Sequence, residues 1–142
     1  MTATPTRLPG LKTALSLASP GGARGKLSIL IYHRVLSAPD PLRTGDPDAD
    51  AFRWQMALLA SHFEVLPLGE AARRLREGSL PPRAACVTFD DGYADNFTTA
   101  LPILHELGLP ATFFIATAYL DGGRMFNDTL IEFAKAVPSG PC

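Results

Sequence analysis

An α/β fold built on a parallel sheet is what this sequence predicts, on three observations. Lys26–His33, with apolar residues on both faces, suits a strand buried on both sides, and Ala84–Phe89 and Ala111–Ala118, the latter dense in Thr, Phe and Ile, read as two further strands. Between them lie stretches whose apolar residues recur every three or four positions, the period of a helix. Strand and helix therefore alternate, which is the pattern of parallel strands joined by right-handed crossovers.

The composition bounds the class. At 142 residues the chain is about one domain. Its 13 Lys and Arg nearly balance 14 Asp and Glu, for a net charge of −1, which argues against a broad basic face for nucleic acid. With 46% hydrophobic and 19% charged residues it is not an acidic disordered tail. The longest strongly apolar stretches, Leu27–Tyr32 and Phe113–Ala118, fall far below the ~20 residues of a membrane-spanning helix, so no transmembrane segment is expected. Two cysteines, one of them the last residue, make no disulfide scaffold, and Cys86 reads as a buried small hydrophobe.

The elements follow in order. Residues 1–25 read as a flexible lead-in, rich in Pro and Gly and without sustained periodicity. Within it, Thr13–Ala18 after Lys12 has a faint signal-peptide character. It is broken by Ser16, Ser19 and Pro20 and is short for an apolar region of ~7–15 residues, and a short amphipathic turn or helix is the other reading. The expected location is the cytoplasm or the periphery of the inner membrane rather than the exterior. After the first strand, Ser37–Pro47 holds three Pro, a Gly and two Asp and is a loop, long enough that function is expected on it. Asp48 or Asp50 caps a helix starting near Ala51, with Phe52, Met56, Leu59 and Phe63 on one face. Glu64–Leu66 is a short strand. Leu68, Ala71, Ala72 and Leu75 mark a helix that Gly78 closes, and Pro81-Pro82 ends the element.

Ala84–Phe89 is the second long strand, closed by Asp90-Asp91-Gly92. Asp95 or Asn96 is expected to cap the next helix, where Phe97, Ala100, Leu101, Leu104 and Leu107 are apolar, Pro102 marks a first turn or a kink, and Gly108 is the stop. Ala111–Ala118 is the third strand and Asp121-Gly122-Gly123 a turn. Leu130, Ile131, Ala134 and Val137 suggest a last helix capped by Asn127 or Asp128. Ser139-Gly140-Pro141-Cys142 reads as a loop, so the chain is expected to be a fragment or a truncated product.

Reactive groups of parallel α/β folds gather beyond the carboxyl ends of strands. Ile31-Tyr32-His33-Arg34 and Thr88-Phe89-Asp90-Asp91-Gly92-Tyr93 put ionisable residues there. For both carboxylates to serve one site the strand must end and the backbone turn, which Gly92 permits. Adjacent carboxylates repel, and a divalent cation relieves this, leaving one as ligand and the other as base. The competing reading is an ordinary turn with a helix cap behind it. What weighs against that reading is the buried strand leading straight into the pair. His33 is either a hydrogen-bonded packing residue or a pocket residue. His62 and His105 are expected on the surface, and Trp54 in the core or facing a partner. Asp121 is expected in a turn, and Asp128 as a cap alone.

Ile29-Leu30-Ile31-Tyr32-His33-Arg34-Val35, Val87-Thr88-Phe89-Asp90-Asp91-Gly92-Tyr93 and Leu109-Pro110-Ala111-Thr112-Phe113-Phe114-Ile115 together resemble the polysaccharide deacetylases of the NodB-homology group, over roughly residues 26–137. Gly123-Arg124-Met125-Phe126-Asn127-Asp128 resembles the branch associated with exopolysaccharide and exosortase gene clusters. The resemblance implies the N-terminal part of a distorted (β/α) barrel, incomplete as given and occupying residues 26–142. It also implies a metal-dependent hydrolase that removes N-acetyl groups from a carbohydrate polymer. It makes Asp90 the catalytic base, Asp91 a ligand of a divalent metal such as zinc, and His33, Gly92 and Tyr93 pocket-lining residues. The family's later His-x-x-x-His pair has no counterpart among His33, His62 and His105. One carboxylate does not make a three-ligand zinc site.

The rival expectation is a non-catalytic half-domain whose open sheet edges need a partner chain. Phosphoryl transfer of the Asp-x-Asp-x-Thr kind does not suit Asp90-Asp91, where the second acid is adjacent and no Thr follows at that spacing.

Overall fold

The computed structural model describes residues 10–137. The loop expected at Ser139–Cys142 and the start of the expected lead-in lie outside the described residues. In order the elements are α1 (Leu11–Ala18), β1 (Leu27–Tyr32), α2 (Ala49–His62), β2 (Glu64–Val65), α3 (Leu68–Arg76), β3 (Ala84–Phe89), a π-helical turn (Asn96–Ala100) running into α4 (Leu101–Glu106), β4 (Thr112–Phe113), a 3₁₀ turn (Thr117–Tyr119) and α5 (Phe126–Ala136).

All described strand pairs are parallel, and β3 is the axis of the sheet. β1 pairs with it over its whole length, from Leu27 opposite Ala84 to Tyr32 opposite Phe89. On the other side β2 pairs with the start of β3 and β4 with its end. Every residue of β3 is buried. Its alternation sorts two cores: Ala85, Val87 and Phe89 pack with Phe52, Met56 and Leu104 from α2 and α4, while Ala84 and Cys86 pack with Leu66, Ala71 and Leu80. At the carboxyl end of the sheet, Phe89 stacks between Tyr32 at 5.6 Å and Phe113 at 4.9 Å, with Phe52 edge-on to Tyr32 at 5.2 Å. This aromatic floor supports the turn that follows β3.

Several helix signals act as the sequence suggests. Asp48 caps α2, its carboxylate accepting the Ala51 amide at 2.8 Å. α3 ends in a left-handed Gly78, with Ser79 N–H donating to the Arg74 carbonyl at 2.8 Å, and α4 ends the same way at Gly108. Pro102 sits in the first turn of α4, directly after the π-helical turn.

Other expectations change. β1 is not covered on both faces: Ile29 is 48% and Ile31 62% exposed. Among the described residues β1 has a neighbour on one side only, and the core that includes Leu66 and Ala71 takes up Leu27 but not the two isoleucines. The third strand is far shorter than Ala111–Ala118. β3 ends at Phe89, so after the Phe114 amide reaches the Phe89 carbonyl no partner remains and the chain bends across the Asp91 carbonyl. Part of the expected lead-in is ordered as α1, held where Arg83 donates to the Ser16 hydroxyl and its backbone amide to the Ser19 carbonyl. His62 is buried rather than on the surface, its Nδ1 3.0 Å from the Leu58 carbonyl and its own carbonyl accepting Arg83 Nε at 2.8 Å. Trp54 is half exposed on α2.

Candidate active site

Asp90 is the first residue beyond β3. Its amide donates to the Tyr32 carbonyl at 2.8 Å, which carries the β1–β3 ladder one step past the strand. The backbone then turns sharply. Asp91 and Gly92 both have φ of +73°, the left-handed region that a non-glycine residue adopts only at a cost. Gly92 has a second reason to be glycine, since a Cβ there would lie 2.8 Å from Ile115 Cδ1. The Asp91 carbonyl accepts the Ala116 amide at 3.3 Å, tying this turn to the segment after β4. Asp90 and Asp91 are both half-buried, so the pair stands at the boundary between core and solvent.

Asp91, Gly92 and Tyr93 line an open cleft of about 400 Å³ together with Tyr119, Arg124 and Met125. His33 is exposed and lines a different space, a groove of about 1160 Å³ along the free side of β1 and α2. Arg34 and Arg43 border both spaces. Strand ends thus bring Asp91, Gly92 and Tyr93 together and set His33 apart from them.

The charged groups around the cleft form a network that the sequence reading did not anticipate. Arg34 Nε donates to Asp95 at 2.7 Å, and its Nη1 lies 3.6 Å from Asp128. Asp95 also accepts the Val35 amide, at 3.4 Å. Arg43, buried, pairs with Asp128 and with Asp46, the latter at 3.5 Å. The Arg34 guanidinium lies 4.5 Å over the Tyr93 ring, whose hydroxyl donates to Met125 Sδ at 3.3 Å. Asp128 is therefore not a helix cap. Met125 occupies that position, and the Asp128 side chain is turned inward to two arginines. Nor do Asp95 and Asn96 cap the helix: Asp95 is taken by Arg34, and Asn96 is buried with neither side-chain polar atom bonded.

The environments move the titrations. Burial alone would push the Asp128 carboxyl up. Arg43, Tyr93 and Arg34 outweigh it and hold its pKa below the ordinary carboxylate value. Burial raises the Tyr93 phenol, and the neighbouring Asp128 adds to this. Farther out, a hydrogen bond from Lys135 lowers Asp40, so the Ser37–Pro47 loop is tied to α5 at two places, Asp40–Lys135 at 2.6 Å and Arg43–Asp128.

A divalent metal finds no matching donor set here. Among the described residues no group of three or more His, Cys, Asp or Glu side chains is placed to hold one. Asp91 offers a carboxylate at the cleft, and the described residues add no histidine to it.

The acidic turn lies at the carboxyl end of a parallel sheet, and comparisons with known proteins bear on what it is similar to. The family model described as Polysaccharide deacetylase matches residues 77–136, the stretch that carries β3, the Asp90–Asp91 turn and α5. In particular, the chain is 35% identical over 92 residues to YxkH of Bacillus subtilis, which carries a polysaccharide-deacetylase name, a match covering 63% of this chain and 32% of that protein. It is 26% identical over 116 residues to the poly-beta-1,6-N-acetyl-D-glucosamine N-deacetylase of Staphylococcus epidermidis, covering 72% of this chain and 40% of that one. Among solved structures, the de-N-acetylase from Aggregatibacter actinomycetemcomitans superposes with a TM-score of 0.61 at 22% identity, over 78% of this chain and 51% of its own. That last likeness is one of fold, and it makes this sheet part of a (β/α) barrel. The chain spans 32% and 40% of the length of these two curated relatives.

Proposed function

We propose that this chain belongs to a hydrolase that removes N-acetyl groups from a polysaccharide, and that the Asp90–Asp91 turn is its reactive edge. The observation that carries this is the position of the pair: two acids directly after a fully buried strand, at a strained turn whose second acid, Asp91, lines a cleft while Asp90 stands just ahead of it, inside the matched stretch. In the reaction, a water oxygen adds to the acetamide carbonyl carbon while the Asp90 carboxylate takes the water's proton. The carbon–nitrogen bond then breaks, the nitrogen gains a proton, and acetate and a free amino sugar result. Tyr93 and Gly92 shape the wall beside Asp91.

The family resemblance adds a divalent ion, zinc among the candidates, with Asp91 as one of its ligands. The donors in the described residues do not complete such a site, so no step is drawn through it. The substrate that fits the resemblance at Gly123–Asp128 is an N-acetylated exopolysaccharide. As part of the same proposal the protein works in the cytoplasm or at the periphery of the inner membrane rather than outside the cell. The test is acetate release from N-acetylated β-1,6-linked glucosamine oligomers with the divalent ion supplied. Release above the uncatalysed background is expected, and background release alone contradicts the proposal.

A second reading has its own observation. Ile29 and Ile31 are exposed on a strand whose outer edge has no partner among the described residues. On this reading the chain is a half-domain, completed by another polypeptide that adds a parallel strand to β1 and covers both isoleucines. Light scattering discriminates: a stable assembly favours the half-domain, whereas a monomer that releases acetate rules it out.

A further inference from the structure

We infer that Arg34 is the positioning residue that holds the Asp90–Asp91 turn in its reactive shape. The inference rests on the reading of those acids as the reactive pair. Two consecutive residues in the left-handed region, one of them not glycine, persist only where the surroundings over-determine the backbone. Arg34 supplies that constraint immediately downstream. Its guanidinium covers the ring of Tyr93, two positions after Asp91, and its Nε grips Asp95, two positions further, while the neighbouring Val35 amide grips the same carboxylate. Arg34 belongs to the segment that continues β1, and the β1–β3 ladder already fixes where Asp90 begins. The segment 90–95 is thus clamped at one end to β1 and at the other to the segment that follows it.

The clamp is itself braced. Asp128, from α5, lies within reach of Arg34 and pairs with Arg43, so the guanidinium is confined between carboxylates on two elements. The planar, forked cation is what this geometry uses. It stacks on an aromatic face and donates sideways to carboxylates at once, and an ammonium cannot do both.

Amide hydrogen exchange on the intact chain tests this without reference to turnover. The probes are Ala116, bonded to the Asp91 carbonyl, and Asn96, bonded to the Tyr93 carbonyl, with Cys86 and Val87 of β3 as controls. Arg34→Met is expected to speed exchange at both probes by about tenfold or more while the controls stay within about twofold. Arg34→Lys, which keeps the charge and loses the stacked fork, is expected to fall between the two. Unchanged probes overturn the inference. So does a proportional rise at probes and controls alike, which is the mark of general destabilisation. Should Arg34→Met not fold, Arg34→Lys is judged by the same comparison. Where acetate release is measured, the positioning role lowers kcat with little change in KM. A wild-type protein that releases no acetate overturns the proposed function and leaves the exchange comparison readable.

Discussion

Asp128→Ala is expected to destabilise the protein by about 3–5 kcal/mol at neutral pH, the usual cost of leaving a buried charge without its partner. The residue is 6% exposed, and its removal takes from the buried Arg43 its closer carboxylate, leaving only Asp46 at 3.5 Å, and takes one of two carboxylates from Arg34. Its effect depends on pH in a defined direction. The folded protein holds the Asp128 pKa below its ordinary 3.8, so the carboxylate's stabilisation is full above that value and fades as pH falls through the lower folded value. Urea midpoints of wild type and variant should therefore lie far apart at about pH 7 and converge towards about pH 2. A gap of the same size at both ends would mean that the side chain acts by shape rather than by charge.

Asp90→Asn is expected to lower acetate release by about 10²–10⁴-fold, the range supplied by a positioned general base. Asparagine has nearly the same shape and cannot accept the proton. The bond that fixes Asp90 in the fold runs from its backbone amide to the Tyr32 carbonyl, and the substitution leaves it intact. The thermal midpoint should accordingly stay near that of the wild type, which separates lost chemistry from lost structure.

What the sequence made legible was mostly local. The β3 run could be read because all six of its positions are apolar or small, and the Asp48, Gly78 and Gly108 signals because a cap is a contact between near neighbours. The acidic turn was legible for the same reason, since a buried strand runs into it. What stayed hidden depends on distant partners. Asp128 looks like a cap in sequence because it opens a helix, yet its partner Arg43 is 85 residues away. Arg34 stood in a segment already singled out, but nothing in its neighbours tells that Asp95 and Tyr93 fold back upon it. The apolar character of Ile29 and Ile31 predicted burial, whereas exposure depends on whether another strand lies alongside. His62 shows the same from the other side: its place on a helix suggested solvent, while Arg83 and the adjoining core cover it.

The most direct measurement is acetate release by Asp90→Asn beside Asp121→Asn. Both change an acid within an acidic, glycine-containing turn, but Asp90 follows the buried strand and Asp121 lies exposed after the 3₁₀ turn. If placement at the end of β3 makes the chemistry, the first variant loses nearly all release and the second keeps it. Equal release by the two would contradict the assignment of the reaction to that turn.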